Sequence, residues 1–449
     1  MAGRRIAVLA LIAGLLTLLG TTAGAATHKK PKPHKPAKPK PLSAQQKLGT
    51  IKHFVVLYEE NHSFDNLYGG WEGVNGLDKA PPAKTTQVNQ GGTPYTCLMQ
   101  VDVNLTVPPL TSSCTDTTTG TSFSSAFPNA PFTIDTYIKP TDSTCPAPAQ
   151  AFSFPNGVLK GSGLAGGCTR DIVHEFYQEQ YDINGGQMNR YVDGEDAVGL
   201  TMGHYDTKSL PIYKYLHLQG HPHYAILDDF FQAAFGGSFL NHQWLIAAAT
   251  PVYQNPPANL RTILDSNGMP VKYPLYTPTG PVQRGPIASA CPAPLNLACG
   301  DYAVNTMQPT NPPFGSFGAK LPVQTAPTIG DRLTAKGIDW AWYAGGWSNA
   351  AGVVNGPGWT NGPGGQWDHV SPPGQGGTPG PHDQWGPGTR IPALVISPLL
   401  RGNFVVDSTQ HDTTSIIATL EHRYKLQPLG TRDAQVKDLS SVFLAAPAK

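Results

Sequence analysis

None of the six cysteines forms a Cys-x-x-Cys pair, which removes the usual basis for a thiolate zinc site. No apolar stretch reaches the length of about 20 residues that a membrane-crossing helix needs. The long one, Ile6 to Leu19, has fourteen. A basic excess is also missing. The formal charge of +1 hides a division, because Arg4, Arg5 and six lysines between Thr27 and Pro41 take eight of the 31 basic residues and leave 23 against 30 acids. The rest of the chain is acidic by about seven charges, which argues against a domain that grips nucleic acid.

The amino terminus carries an address. Arg4-Arg5, the apolar run and the small residues Ala23-Gly24-Ala25 before Ala26 read as a secretion signal over residues 1–26, so the protein is expected outside the cell or on its envelope. Residues 27–50 follow as a tether. Thr27 to Pro41 has no acid and a proline at every second or third place, a composition that cannot bury enough apolar surface to fold. It would either lie on an anionic envelope surface or act as a solvated spacer. Six cysteines in an exported chain point to disulfides. Cys291 and Cys299 are the natural pair, while the connectivity of Cys97, Cys114, Cys145 and Cys168 stays open.

The folded domain is expected over residues 51–445, with 39% hydrophobic residues to supply a core and 49 glycines and 44 prolines to make much of the surface loop. Residues 71–167, rich in Thr, Pro, Ser, Gly and Asn, read as a loop insertion stapled by disulfides. Ile51 to Leu57 has the length and β-branching of a buried strand, broken by Tyr58-Glu59-Glu60-Asn61. Ser63 and Asp65 then offer cap chemistry for a short helix. Polar oxygens would thus sit past the carboxyl end of a strand, the edge where open α/β sheets bind ligands. Glu60 and Asn61 could equally do no more than cap the helix.

Further on, Asp171 to Met188 has helical periodicity up to the Gly185-Gly186 break, and His174 stands near its start. In AFGGSFLNHQWL, Gly236-Gly237 allow close backbone approach, and Ser238 can open a helix whose free N–H groups favour a phosphate. Thr328 to Tyr343 reads as a helix, a stop at Gly337 and a strand from Asp339 to Tyr343. Ala393 to Ile396 reads as an apolar strand and Ser415 to Tyr424 as a helix.

EENHSFDNLYG, the His174 segment, the Gly-Gly-Ser turn, WDHVSPP from Trp367 and DQWGPGTRIP from Asp383 together resemble the bacterial phosphoesterase family of secreted phospholipases C and acid phosphatases, within the alkaline phosphatase superfamily. The resemblance implies an α/β fold with a mostly parallel sheet sandwiched by helices. It implies that Glu60 and Asn61 hold a divalent metal ion such as Mg²⁺ or Ca²⁺, that Ser238 attacks phosphorus, and that His174 touches the substrate. Asn241 and His242 would bind phosphoryl oxygens. The glycine-serine form followed by asparagine-histidine looks more like the acid phosphatase branch, so phosphate monoesters are the expected substrates and phospholipid or other diesters the alternative.

One stretch departs from the pattern. Relatives carry two further active-site histidines and an adjacent acidic pair just before Asp-His-Val, but residues 344–366 of this chain contain no Asp, Glu or His. Asp368 and His369 are the nearest replacements, as a metal ligand and an acid; a structural turn before Pro372-Pro373 is the other reading. Without the pair the metal has few oxygen ligands. A catalytically impaired secreted binding protein is therefore the competing expectation.

Overall fold

Tyr224–Leu227, strand β1, is buried along its whole length and organises the main sheet. The computed structural model describes residues 40–59, 62–100, 110–137, 172–288, 291, 297–310, 319–343 and 365–448. Alternate residues of β1 point to opposite faces, as the period of two requires. Tyr224 and Ile226 pack with Phe64, Trp71 and Leu216. Ala225 and Leu227 pack on the other side with Leu48, Val405 and Phe443. Ile226 and Leu227 are fully buried, which contributes roughly 1.5–3 kcal/mol for each side chain.

The chain leaves β1 through Asp228-Asp229 into β2, Phe230–Phe231. Strand β3, Leu394–Ile396, pairs antiparallel with β1, and β4, Phe404–Asp407, pairs with it in parallel from Phe404↔Tyr224 to Asp407↔Leu227. Strand β5, His411–Asp412, then continues beside β2, again in parallel. The architecture among the described residues is mixed α/β, with this three-stranded sheet as the largest and several two-stranded ones around it.

Five helices carry or brace the residues of interest. They are α1, Phe64–Leu67; α2, Phe176–Ile183; α3, Ser238–Ala247; α4, Ile329–Ala335; and α5, Thr414–Tyr424. Ser63 caps α1 as expected, its hydroxyl accepting the Asn66 N–H at 3.2 Å. The second large core gathers Phe127, Phe176, Tyr191, Trp244 and Trp367 beneath α2 and α3. Cys97 pairs with Cys114 and Cys291 with Cys299, the latter as expected. Cys145 and Cys168, and the signal and tether up to residue 39, lie outside the described residues, as does most of the shortened 344–366 stretch. No helix among the described residues is long and apolar enough to cross a membrane.

Two expected strands are not formed. Ile51–Leu57 has no strand partner among the described residues, with Val55 83% and Leu57 85% exposed. What fixes its start is α5, through Arg423 Nε donating to Ile51 O at 2.8 Å and Phe54 against Tyr424. Asp339–Tyr343 also has no strand partner among the described residues. Its Trp340 turns back onto α4, donating to Thr334 Oγ1 at 2.9 Å and covering Gly330 so closely that an added Cβ would lie 2.5 Å from the indole. An apolar run states a preference for burial; it does not supply the neighbouring strand that a sheet needs.

Candidate functional site

The Gly236-Gly237-Ser238 turn is built by close contact with the segment that leads into α2. Gly236 has φ +89°, and a Cβ there would fall 2.7 Å from Phe176 N. At Gly237 a Cβ would fall 2.6 Å from His174 O and 3.0 Å from His174 Cβ. Only glycine permits either approach, and the result is that His174 lies directly against the residue preceding Ser238. Ser238 is the first residue of α3, so its hydroxyl stands beside the free N–H groups of a ten-residue helix. Among the described residues that hydroxyl has no hydrogen-bond partner.

The buried α2 carboxylate of Glu179 clamps this turn. It accepts the Gly236 N–H and, at 2.7 and 2.5 Å, the N–H and hydroxyl of Thr389. Burial pushes the Glu179 carboxyl up, and the Thr389 and Gly236 donors pull it back. Asn241 braces the same turn from within α3. Its Oδ1 accepts Ala234 N at 3.1 Å and its Nδ2 donates to Ala234 O at 3.0 Å and Gly236 O at 3.1 Å. That amide is committed to the turn, and the expected reach to phosphoryl oxygens is not what its bonds do. His242 has Nδ1 2.9 Å from Ser238 O, and its ring meets Tyr58 edge-on at 5.1 Å between centroids. Tyr58 thus brings the opening segment to α3 just before Glu60 and Asn61, which themselves lie outside the described residues.

Asp368 and His369 belong to a different constellation. Arg390, fully buried, donates from Nε to both Asp368 oxygens at 3.1 and 3.2 Å and from the fork to Asp65 Oδ1 at 3.1 Å. Asp368 also accepts the N–H groups of Asp65 at 3.1 Å and Val370 at 2.8 Å. Asp65 Oδ2 accepts His369 N at 2.9 Å and faces His369 Nδ1 at 2.6 Å. The guanidinium lies 4.2 Å over the Phe64 ring. Burial pushes the Asp368 carboxyl up and Arg390 draws it down.

Asp65, Asp368 and His369 do offer ligand atoms within 4.8 Å of one another. As they stand they do not fit a metal ion. Every carboxylate oxygen of the pair already accepts a donor, and Arg390 supplies the compensating charge at the centre. The trio ties α1, the Trp367 segment and the Thr389 segment together. Sequence reasoning missed Asp65, Glu179 and Arg390 as partners in these clusters. The signal was the company each keeps, since all three sit inside the family-like motifs. It also missed His204, whose ring burial holds it below the ordinary histidine range, and His62, 2.7 Å from Asn66 Oδ1.

Comparison with known proteins adds a family. The model of the Phosphoesterase family matches residues 51–358 and 362–427. Phospholipase C A of Mycobacterium tuberculosis (strain ATCC 25618 / H37Rv) is 23% identical over 471 residues, covering 88% of this chain and 78% of the relative. Phospholipase C B of the same strain is 24% identical over 477 residues, covering 89% and 79%.

Proposed function

The chain belongs to the phosphoesterase family and is a hydrolase of phosphoric esters, and from that premise we propose that Ser238 is its nucleophile. The supporting observation is the contact of His174 O and Cβ with Gly237, the residue before a serine that opens a helix and whose hydroxyl has no partner among the described residues. In this reading Ser238 Oγ attacks phosphorus, the P–O bond to the leaving alcohol breaks, and the alcohol departs with a proton. Water then cleaves the phosphoserine and restores the hydroxyl. His174 and the first N–H groups of α3 hold phosphoryl oxygens, while Asn241 and Glu179 keep the turn in place. A divalent cation at Glu60 and Asn61 would lower the pKa of the hydroxyl and offset phosphoryl charge. The same membership supports a wider, mostly parallel sheet between helices, in keeping with the burial of both faces of β1. Disulfides at Cys97–Cys114 and Cys291–Cys299 support an exported enzyme.

Gly237-Ser238 followed by Asn241-His242 favours monoesters, and the relatives named phospholipase C favour a diester. Turnover of nitrophenyl phosphate and of nitrophenyl phosphorylcholine, each with and without EDTA, separates the two. Ser238→Ala should abolish both activities while leaving the thermal unfolding curve unchanged. Undiminished turnover by Ser238→Ala would remove the serine from the mechanism.

A further inference from the structure

The parallel pairing of the main sheet is interrupted in one place, and a cavity opens there. Strands β1 and β4 pair through Leu227↔Asp407, and β2 and β5 resume at Phe230↔His411. Between them Asp228-Asp229 on one side face Ser408-Thr409-Gln410 on the other, two residues against three, as in a bulge. The Asp228 N–H reaches Asp407 O at 3.3 Å before the break, and His411 N reaches Asp229 O at 2.9 Å after it. A cavity of about 360 Å³ occupies the opening, lined among others by Asn75, Asp228, Asp229, Thr378, Ser408 and Gln410. It lies past the carboxyl ends of two parallel strands, where α/β sheets place ligands.

The chemistry of the lining is one-sided. Among the described residues no Lys, Arg or His lines the cavity. Asp228 is only 2% exposed, yet only one of its oxygens is engaged: Oδ2 accepts Asn75 N at 2.7 Å, and Oδ1 has no partner among the described residues. A buried carboxylate oxygen without a donor is costly, and it is ordinarily met by a proton donor or a cation. The nearest guanidinium cannot serve. Arg390 has spent Nε and its fork on Asp368 and Asp65, and its remaining nitrogen donates to the backbone carbonyls of Asn75 and Asp228 at 2.7 Å each. Next door, Asp229 lines the same opening. Around the mouth Thr378, Ser408 and Gln410 add neutral oxygens. Two carboxylates with hydroxyl and amide oxygens, no nitrogen ligand and room for water are the preferences of a hard divalent cation.

We propose that the cavity between β1 and β4 is a hydrated divalent-cation site, with Asp228 and Asp229 as its anionic ligands, separate from the Ser238 turn. Calcium is the probe of choice because it accepts a loose shell of six to eight oxygens, about the number that the lining and a few waters provide. Calorimetric titration of the full chain, first stripped with EDTA, should show a calcium site that is lost, or weakened about tenfold or more, in Asp229→Asn. Ser408→Lys, at an exposed position, should do the same by placing an ammonium group in the opening. Both variants should keep ester turnover, and the calcium site should survive in Ser238→Ala. Thermal unfolding should show calcium raising the midpoint of the parent chain but of neither cavity variant. If the parent binds no calcium, or if both variants bind it with the parent's stoichiometry and affinity, the assignment is overturned. Failure of Ser238 as nucleophile would leave it standing.

Discussion

The Glu179 carboxylate accepts the backbone N–H of Gly236, so a residue on one turn of α2 holds the left-handed glycine two residues before Ser238. Thr389 supplies the other two donors, and all the groups are buried. Glu179→Gln keeps the shape but replaces one acceptor oxygen by an NH₂ that faces donors. The cost should be about 1–3 kcal/mol in urea unfolding, the usual penalty for a buried group left without its partner. If the turn positions the nucleophile, kcat should fall about tenfold or more with KM little changed, because a small displacement of a reacting group is felt in the transition state. Steady-state kinetics beside unfolding curves distinguishes positioning from simple instability.

Arg390 is the second joint. Its removal would leave Asp65 and Asp368 buried with no cation between them. Arg390→Met should therefore destabilise the fold by roughly 3–5 kcal/mol, and Arg390→Lys should recover only part of that because an ammonium cannot reproduce the fork. Urea midpoints measure both. The same bonds bear on the metal: since the Asp368 oxygens are taken up by Arg390 and two N–H groups, Asp368→Asn should leave the divalent-ion dependence of ester turnover unchanged. A shifted metal requirement would mean that Asp368 is a ligand after all.

The local chemistry was legible where it depends on neighbours in the chain. Ser63 capping α1, α2 ending at the Asn184-Gly185-Gly186 turn and the helix opening at Ser238 all follow from propensity and spacing. The partners across the fold were not. Nothing in Ile51–Leu57 states whether a strand lies beside it, and in Asp339–Tyr343 the indole of Trp340 found α4 instead. Asn241 shows the same limit at the site. Its place beside a phosphate-binding turn was readable, but its three bonds to Ala234 and Gly236 depend on how tightly α3 folds back, which spacing alone does not fix.

The Cys97–Cys114 bridge closes a loop of 17 residues between two short strands. Closing a loop of about that length stabilises a chain by roughly 3 kcal/mol through the unfolded state. Replacing both cysteines by serine should lower stability by that order while ester turnover per folded molecule persists. Unfolding in the presence and absence of a reductant supplies a control, since the reductant should affect the parent more than the double variant.

Stability against pH should carry the mark of Glu421. This α5 residue is 3% exposed, and its carboxyl is pushed up to about 8, first by burial and then by Asp433 beside it. Asp433 accepts the N–H groups of Leu429 at 2.6 Å and Gly430 at 2.8 Å. In the unfolded chain Glu421 would titrate at about 4.3, the ordinary value. The folded protein therefore binds the extra proton, and the stability it brings is complete below the unfolded value and lost as pH rises towards about 8. Glu421→Gln donates to Asp433 without titrating. Its unfolding midpoint should match the parent's near pH 4 and exceed it at pH 8.5 by about 3 °C or more, the shift that roughly 1 kcal/mol produces in a chain of this size. Equal midpoints at both pH values would show that Glu421 ionises in the folded protein as it does in water.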